Sequence, residues 1–433
     1  MKAKIAVFFG GNSVEHEVSI ITALHAVENI DREKYEVLPI YITKDNKMYA
    51  GEKIGDIASY NDIASLLDKS TQVTPVNLGD KVALLRAEKK LLKNDIYDYI
   101  DIAFPIVHGT NVEDGTIEGF IKMLNIPYVG CDVISSALGM DKYACKEILR
   151  ANNIPVIDGK LYNIKQYKDD EAALRKNIEK ELGFPVIAKP VNLGSSVGIS
   201  IAKDQKELQQ SLEEAFTYAS KILVEKAIMD LKEVNCSVIG DYESAKASEC
   251  ESPIKMDRIL SYRDKYLGNG TKGAKGIKGS KSAGVKGYKS VGVKGCKLAG
   301  VKGSKNASFG GTMGSDNSNP SLELPAKIST EQKKTIQELA VQTFQALGCN
   351  GVIRIDFIID QSNGKIYVNE VNTIPGSLSF HLWRETGLDY TEELNQIITL
   401  GIKRAREEKN LTFSFETNIL ANFNGAKAQK LRK

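Results

Sequence analysis

Polar side chains alternate with apolar ones in two short stretches near the end of the chain, 352–359 and 366–372. The polar set consists of a guanidinium, two carboxylates and an amide, which belong to Arg354, Asp356, Glu370 and Asn372. Because residues two apart in a strand point to the same face, each stretch presents its two polar side chains together. Two carboxylates and an amide oxygen suit a hard cation such as Mg²⁺, which shares its shell with water and phosphates. The alternative is a surface salt-bridge network around the arginine.

The register of the connecting turn decides whether the two pairs meet. A two-residue turn at Asn363-Gly364 would leave Asp356 and Glu370 on opposite faces of the hairpin. A five-residue loop that pairs Asp360 with Ile366 would place Asp356 opposite Glu370. We adopt the second register because it gathers all four polar side chains on one surface.

A glycine- and serine-rich loop, Asn192–Gly198, follows an apolar stretch that ends in Lys189. A run of backbone N–H groups beside a lysine predicts a phosphate cradle, although such loops are also ordinary turns. The chain contains no GxxxxGK[ST] sequence, and Gly10-Gly11 is not part of a GxGxxG fingerprint. If ATP binds here, a fold other than the P-loop or Rossmann fold must hold it.

The elements that position these residues alternate between strand-like and helix-like stretches, which is typical of an α/β protein. Strands are predicted at 4–9, 100–107, 185–189, 222–225, 352–359 and 366–372. Helices are predicted after Gly10-Gly11, where Ile20, Leu24 and Val27 have helical spacing, and near 141–152. A further helix should begin at a capping box formed by Ser329 and Gln332 and end at Gly348. Its predicted buried face consists of Ile336, Leu339, Ala340, Thr343, Phe344 and Leu347.

The composition fits a folded protein of two or three domains. The chain has 433 residues, of which 42% are hydrophobic, and this excludes a mostly disordered chain or a single small domain. No run of about 18 apolar residues occurs, and MKAKIAVFFGG at the start lacks the features of a signal peptide, so we expect a cytosolic protein. Six scattered cysteines and four histidines show no metal-ligand spacing, which argues against a zinc site or a disulfide framework.

A basic repeat interrupts the otherwise acidic chain. Residues 272–305 contain ten lysines and no acidic residue, which leaves 48 basic and 55 acidic residues elsewhere, a net charge of about −7. Three consecutive eight-residue units follow one another: KSAGVKGY (281–288), KSVGVKGC (289–296) and KLAGVKGS (297–304). Such units cannot bury enough apolar area to offset their backbone entropy. We therefore predict a flexible insertion at about 268–320.

Taken together, five motifs in order resemble the D-alanine–D-alanine ligases, a family of the ATP-grasp superfamily. They are Phe9–Ser19, His108–Gly115, Ser136–Lys142, Lys189 with Gly194–Gly198, and Gly351–Asp356 with Asn369–Gly376. The resemblance covers about residues 1–267 and 321–405. It implies a three-domain α/β ATP-grasp fold with the flexible Lys/Gly-rich insertion in its lid loop. The domains would be an N-terminal substrate domain (1–130), a central subdomain (131–221), a C-terminal subdomain (222–405, containing the insertion) and a tail (406–433).

The family makes D-alanyl-D-alanine for peptidoglycan: ATP phosphorylates one D-alanine, and the amine of a second attacks the acyl phosphate. The resemblance implies that Glu15 binds the ammonium of the first substrate and that Arg354, with the Gly376 N–H, stabilises the oxyanion. Ser195 and Tyr266 would hydrogen-bond with Glu15 to close the lid. The implied substrate-binding residues are His108 and, for the acceptor carboxylate, Ser379 or alternatively Ser377.

The resemblance also implies an ATP site and a metal site. The ATP-binding residues would be Lys142, Lys189, Ser196, Glu225, Lys226, Glu233 and Lys265. Asp356, Glu370 and Asn372 would bind Mg²⁺, with two ions expected and Mn²⁺ as a substitute. Members of the family are usually homodimers, so we expect a homodimer with ATP and D-alanine as substrates.

Several departures and alternatives remain open. Val112 stands where the family usually has glycine, and Glu118 stands where it commonly has glutamine. The acceptor is either D-alanine or D-serine; Tyr266 argues against D-lactate, because lactate-type relatives carry a histidine in the lid. A hypothesis from another class is an inactive ligase body whose basic repeat binds nucleic acid or another anionic polymer. That repeat lacks aromatic interleaving apart from Tyr288.

Overall fold

The computed structural model of the chain describes residues 2–79, 81–88, 94–194, 198–253 and 322–414. The predicted insertion at 268–320 and residues 415–433 of the predicted tail lie outside the described residues. The described residues form three β-sheets with helices packed against them. None of the helices among these residues is long and apolar enough to cross a membrane.

The first sheet has seven strands in the order β6-β5-β4-β3-β2-β1-β7. They are β1 (Ala3–Gly10), β2 (Tyr35–Ile42), β3 (Met48–Ala50), β4 (Thr71–Asn77), β5 (Val82–Arg86), β6 (Ile96–Ile100) and β7 (Ile102–Pro105). The central strand β1 runs parallel to β2 and β7, and it is almost completely buried. The remaining neighbours are antiparallel.

The strand predicted at 100–107 is confirmed over the shorter range Ile102–Pro105, and its first predicted residue, Ile100, belongs to a different strand. Strand β6 ends at Ile100 and pairs with β5, whereas β7 begins at Ile102 and pairs with β1. Only Asp101 separates them, and its backbone N–H donates to the Lys4 carbonyl at 3.1 Å. The two edges of the sheet therefore approach each other, a curvature that an apolar run cannot reveal.

The second sheet has four antiparallel strands in the order β10-β9-β11-β8. They are β8 (Gly159–Asn163), β9 (Val186–Pro190), β10 (Ser200–Ala202) and β11 (Lys221–Lys226). The strand predicted at 222–225, which the sequence analysis assigns to the C-terminal subdomain, pairs in this sheet between β9 and β8. The domain boundaries at 130 and 221 stay predictions.

The third sheet carries the polar strands and is antiparallel throughout, in the order β14-β13-β12-β15-β16. Its strands are β12 (Leu231–Gly240), β13 (Ala245–Pro253), β14 (Leu322–Glu323), β15 (Gly351–Asp360) and β16 (Ile366–Asn372). The alternation of buried apolar residues with polar ones along β15 leaves one face of this sheet for chemistry and the other for the core.

Eleven α-helices lie among the described residues. They are α1 (His16–Asn29), α2 (Ile63–Asp68), α3 (Thr116–Met123), α4 (Val133–Met140), α5 (Lys142–Ala151), α6 (Ile164–Asp169), α7 (Glu171–Leu182), α8 (Gln205–Tyr218), α9 (Thr330–Ala346), α10 (Phe380–Arg384) and α11 (Tyr390–Lys409). Short 3₁₀ turns occur at Glu52–Gly55, Ile57–Asp62 and Gly376–Ser379.

Helix α9 confirms the strongest local prediction. Ser329 Oγ accepts the Gln332 N–H at 3.1 Å, and Gln332 Oε1 accepts the Ser329 N–H at 3.0 Å. Gly348 follows the helix with a φ of +63°, a conformation that favours glycine. The predicted apolar face is buried, apart from Leu339, which is half-buried.

One core joins the first and third sheets. The buried residues of α1 and β1 share a hydrophobic cluster with those of α11, including Leu394 and Ile397 near the end of the chain. The third sheet contributes Val352 to the same cluster. This shared core fixes the N-terminus of α1 relative to the polar face of β15 and β16.

Candidate active site

The polar face of β15 and β16 is the centre of the candidate site. Arg354 lies opposite Asn372, and Asp356 lies opposite Glu370. Arg354 donates to Asp356 from Nε at 2.7 Å and from Nη2 at 3.0 Å, and Asn372 Nδ2 donates to the same carboxylate at 3.2 Å. The four side chains that the sequence singled out therefore form one connected surface.

The predicted register is confirmed at this face and wrong at the turn. Asp356 is opposite Glu370 as predicted, but Ile366 pairs with Ile359 instead of Asp360. The register shifts between Asp356 and Phe357, because β16 holds one extra residue, Asn369, at that point. The Asp360 N–H donates to the Lys365 carbonyl at 2.9 Å, so the loop between them has four residues instead of the expected five. The β-bulge compensates for this shorter turn. The bulge residue also uses its side chain, which accepts a hydrogen bond from Lys189 Nζ at 3.4 Å.

The polar row continues across two more strands, which sequence reasoning missed. Asn235 on β12 lies opposite Asp356, and Glu251 on β13 lies opposite Asn235. Asn235 Nδ2 donates to Glu251 Oε1 at 3.0 Å, and His381 Nε2 lies 2.7 Å from Glu251 Oε2. Burial disfavours the Glu251 carboxylate, but its hydrogen bond to His381 is the chief opposing effect, and the pKa of Glu251 is lowered overall. Only the strand order brings these residues together, so no local signal would have found them.

Lys142 connects α5 and the glycine- and serine-rich loop to the polar face. This first residue of α5 is buried, and its Nζ lies 2.7 Å from Glu370 Oε1 and donates to the Leu193 carbonyl at 3.0 Å. Burial opposes the ammonium form, but the attraction of Glu370 outweighs it and raises the pKa of Lys142. The predicted ATP lysine and the predicted metal ligand are therefore in direct contact.

A buried ionic cluster lies behind this contact. Lys189 on β9 and Lys146 on α5 each form an ion pair with a different oxygen of Glu225 on β11. Burial disfavours the Glu225 carboxylate, but the two lysines outweigh it and lower its pKa. Sequence reasoning missed Lys146, although its position four residues after Lys142 places both on one face of a helix.

Two further predicted ATP residues, Lys226 and Glu233, lie among the described residues. Lys226 is exposed at the end of β11, and its backbone N–H donates to the Asp158 carbonyl at 3.0 Å. Glu233 is half-buried on β12, two residues before Asn235 and so on the same face of the third sheet. Serines 195 and 196, Lys265 and Tyr266 lie outside the described residues.

Glu15 approaches the site from the first sheet. It is buried at the N-terminus of α1, next to the start of the glycine- and serine-rich loop. A Cβ on Gly194 would come within 2.7 Å of Glu15 Oε2, so the absence of a side chain there makes room for the carboxylate. Thr110 Oγ1 fixes the same loop by donating to the Asn192 carbonyl at 2.7 Å.

His108 and Glu113 connect the loop after β7 to the loop after β16. His108 Nε2 lies 3.0 Å from Thr22 Oγ1, and burial, with Arg354 as the next cause, lowers the pKa of His108 to about 4. Glu113 accepts the N–H groups of Gly109 at 2.9 Å and Ile374 at 3.1 Å. Burial raises the pKa of Glu113 to about 8 despite these two donors. His108 is therefore a neutral side chain at ordinary pH.

The segment after Gly376 has an unusual backbone. Ser377, Leu378 and Ser379 all have positive φ angles, between 47° and 62°, and left-handed conformations of residues other than glycine cluster at functional sites. The Ser377 N–H donates to Thr22 Oγ1 at 3.2 Å. Ser379 is fully buried, and its hydroxyl has no partner among the described residues. Its predicted role toward the acceptor carboxylate stays a prediction.

The oxygen donors of the polar face fit a magnesium ion that is shared with phosphates. No group of three or more His, Cys, Asp or Glu side chains suited to a metal ion occurs in the described part of the chain. Mg²⁺ needs no such group when one or two carboxylates share it with phosphate oxygens and water. Asp356 and Glu370 supply two carboxylates and Asn372 an amide oxygen on one surface, with Lys142 and Arg354 balancing their charge.

Comparisons with known proteins agree over nearly the whole chain. Two family models match: the D-ala D-ala ligase N-terminus at residues 4–131 and the D-ala D-ala ligase C-terminus at residues 148–295 and 311–399. The D-alanine–D-alanine ligase of Thermosipho melanesiensis is 34% identical over 416 residues, which cover 96% of this chain and 98% of the relative.

Two solved structures match over similar lengths. The D-alanine–D-alanine ligase from Coxiella burnetii has a TM-score of 0.69 at 26% identity and covers 94% of this chain and 97% of its own. The VanG D-Ala:D-Ser ligase from Enterococcus faecalis has a TM-score of 0.69 at 30% identity and covers 93% of this chain and 100% of its own.

Proposed function

The chain belongs to the D-alanine–D-alanine ligase family, and we propose that it joins two D-alanines to D-alanyl-D-alanine with ATP as co-substrate. Its α/β fold matches the ATP-grasp fold of these ligases. The reaction would pass through D-alanyl phosphate and supply a precursor of peptidoglycan. The observation that carries the proposal is the contact between Lys142 and Glu370, because it joins a phosphate-binding type of residue to the oxygen ligands of the polar face.

ATP would lie between the second and third sheets. Lys142 and Lys189 would neutralise its phosphates, since both ammonium groups are buried beside the polar face. Asp356, Glu370 and Asn372 would hold a divalent ion, which supplies charge neutralisation and orientation for the phosphates. Backbone groups near Lys226 and the carboxylate of Glu233 are candidates for the adenine and ribose contacts.

The two D-alanines would bind on the side of the site that α1 and the loop after β16 form. Glu15 would accept hydrogen bonds from the ammonium of the first D-alanine. The carboxylate oxygen of this D-alanine would attack the terminal phosphorus of ATP, and the bond from that phosphorus to ADP would break. The amine of the second D-alanine would then attack the carbonyl carbon of the acyl phosphate. As the C–O bond to phosphate breaks, the amine loses a proton. Arg354 and the Gly376 N–H would stabilise the oxyanion, an effect worth about 3–4 kcal/mol per donor.

An assay of phosphate release tests the proposed reaction. ATP and Mg²⁺ are supplied with D-alanine, L-alanine, D-serine or D-lactate, and the product is identified by mass. We expect turnover with D-alanine and none with L-alanine, because Glu15 and Arg354 would fix the amino and carboxyl groups of one enantiomer. Equal turnover with L-alanine would exclude the proposed substrate.

D-Serine is the second candidate acceptor. The similarity to the VanG D-Ala:D-Ser ligase favours it, and a pocket discriminates weakly against one added hydroxyl. A mixture of D-alanine and D-serine in the same assay decides between them, since the two dipeptides differ in mass. We further propose that the enzyme is a homodimer in the cytoplasm; sedimentation of the purified chain tests the dimer, and fractionation of cells tests the location.

A further inference from the structure

Three charged side chains meet in the interior between α5 and the second sheet. The side chains of Lys146, Lys189 and Glu225 are 4%, 6% and 0% exposed. Each carboxylate oxygen of Glu225 is in contact with one ammonium group. We call these three residues the lysine–glutamate triad.

The triad contains two ammonium groups and one carboxylate, so it has one surplus positive charge. A buried lysine is rare, and a buried ion pair is already costly in desolvation before a second cation is added. If the cluster served only to hold α5 against the sheet, one lysine would satisfy Glu225 at lower cost. The surplus charge therefore points to an anion that arrives from outside the fold.

The local structure is built around the Glu225 side chain. Gly159 lies opposite Glu225 in the pairing of β8 with β11. A Cβ on Gly159 would come within 2.6 Å of Glu225 Cγ and 3.0 Å of the Val224 carbonyl oxygen. Lys189 lies on the same face of the sheet, diagonal to Glu225, and its Nζ also contacts Asn369 on the third sheet at 3.4 Å.

We propose that Lys146 is a positioning residue of the nucleotide site, which holds Glu225 and, through it, Lys189, and that the phosphates of ATP neutralise the surplus positive charge of the triad. This inference rests on the proposed function, because it takes the anion to be ATP. Lys146 itself would not touch the reacting atoms; its effect would appear in the affinity for ATP and not in the affinity for D-alanine.

The protonation of Lys146 gives an independent signature. Burial, with Lys189 as a further cause and Glu225 opposing both, lowers the pKa of Lys146 to about 8. The other titratable neighbours are Lys142, four residues earlier on α5, and the Cys145 thiol, whose pKa burial raises to about 12. An arriving anion favours the ammonium form, so binding of the nucleotide near pH 8 should take up protons.

The test compares Lys146→Met with Lys146→Arg in the full chain. Lys146→Met keeps the length of the side chain and leaves Glu225 paired with Lys189. We expect the KM for ATP to rise at least tenfold and the KM for D-alanine to stay within twofold, while Lys146→Arg recovers part of the loss. Lys176→Met, at an exposed position of α7, is the matched control and should change neither constant.

Calorimetric titration with a non-hydrolysable ATP analogue, in two buffers of different ionisation enthalpy at pH 8, measures the proton uptake. The wild-type chain should take up protons, and Lys146→Met should take up fewer. A KM for ATP within twofold of wild type in folded Lys146→Met, or an equal rise in both KM values, would overturn the inference.

If Lys146→Met does not fold, Gly159→Ala decides, because it keeps all three charges and displaces Glu225. A raised KM for ATP then supports the inference, and an unchanged one refutes it. The proposed function fails separately, through absence of D-alanine-dependent phosphate release by the wild-type chain. In that case titration with the analogue still tests whether Lys146 contributes to nucleotide affinity.

Discussion

Buried carboxylates behave in opposite ways in two regions of this molecule. In the lysine–glutamate triad, Glu225 is fully buried and its pKa is lowered, because two lysines outweigh the cost of burial. Glu393 on α11 is as deeply buried, and burial raises its pKa to about 9. Neither oxygen of Glu393 has a hydrogen-bond partner among the described residues. Glu118 on α3 resembles Glu393, since burial raises its pKa well above the usual value.

Cationic partners, and not depth alone, therefore lower the pKa of a buried carboxylate in this protein. Glu225 contacts two lysines, whereas Glu113 accepts, among the described residues, only backbone N–H groups and has a raised pKa. A charge that is paired inside the fold is available to bind ions and phosphates at neutral pH. A buried carboxylate without a cationic partner has a raised pKa and makes folding depend on pH. Glu225 is of the first kind, whereas Glu113 of the candidate site is of the second kind, as are Glu118 on α3 and Glu393 on α11.

The largest expected effect is at Glu370, where a paired carboxylate would also hold the metal. Glu370→Gln keeps the volume but removes the charged ligand and weakens the contact with Lys142. We expect at least a hundredfold loss of turnover with the fold intact, measured by phosphate release at saturating ATP. Glu392→Gln, at an exposed position of α11, is the control. Near-normal turnover at sub-millimolar Mg²⁺ would mean that Glu370 is not a metal ligand.

Glu225→Gln tests the triad with an effect on both stability and affinity. Two buried lysines would lose their shared counter-charge, and breaking a buried ion pair by removing one partner typically costs about 3–5 kcal/mol. We expect a clearly lower thermal midpoint and a KM for ATP raised at least tenfold. ATP should restore part of the stability, because its phosphates supply the missing negative charge. An unchanged thermal midpoint would show that the paired state of Glu225 contributes little.

Strand periodicity and residue chemistry predict the polar face well, because both are local properties. Alternate positions of β15 and β16 identify Arg354, Asp356, Glu370 and Asn372, and the structure gathers them as expected. The predicted pairing of Asp356 with Glu370 is correct, but the bulge at Asn369 and the shorter turn could not be predicted. A turn without a bulge, and a turn one residue shorter with a bulge, both place Asp356 opposite Glu370. The sequence therefore does not distinguish the two arrangements.

The residues that sequence reasoning missed depend on the order of strands in space. Asn235 and Glu251 become part of the site only because β12 lies between β13 and β15. Lys146 is one lysine among 58 basic residues until its contact with Glu225 is known. Glu118 departs from the family pattern, but the rise in its pKa follows from burial, which a single sequence does not display.

Glu393→Gln should act in the opposite direction from Glu225→Gln. The folded state holds the Glu393 proton up to about pH 9, whereas the unfolded chain releases it near the ordinary value of 4.5. The favourable contribution of the neutral acid is thus complete below about pH 4.5 and is lost as the pH rises toward 9. Glutamine has no such dependence, so we expect a thermal midpoint several degrees above wild type at pH 8.5 and a small difference at pH 5.5.

Thermal unfolding over this pH range provides the measurement. Glu118→Gln should change the midpoint in the same direction, because burial raises the pKa of Glu118 well above its usual value. A stability gain for Glu393→Gln that is equal at both pH values would contradict the account, since uncharged packing effects do not follow the titration of a carboxylate.

The smallest effect is expected from the basic repeat at 272–305, which contains ten lysines and no acidic residue. If only charges paired inside the fold serve the reaction, excision of residues 272–305 should leave turnover within about threefold of wild type. Shortening a connection changes its closure entropy by only about 0.6 kcal/mol per twofold change in length. At about 0.15 M salt the field of the lysines decays over about 8 Å, so any attraction of ATP should appear only at low salt.

Turnover, the KM for ATP at low and physiological salt, and the choice between D-alanine and D-serine are therefore measured for the excised chain. We expect a modest rise in the KM for ATP at low salt and no change in acceptor choice. A tenfold or greater loss of turnover with stability preserved would make the repeat part of the working lid. Unchanged turnover with loss of a salt-sensitive association with nucleic acid would instead favour polymer binding, because that association depends on released counterions and not on charges paired within the fold.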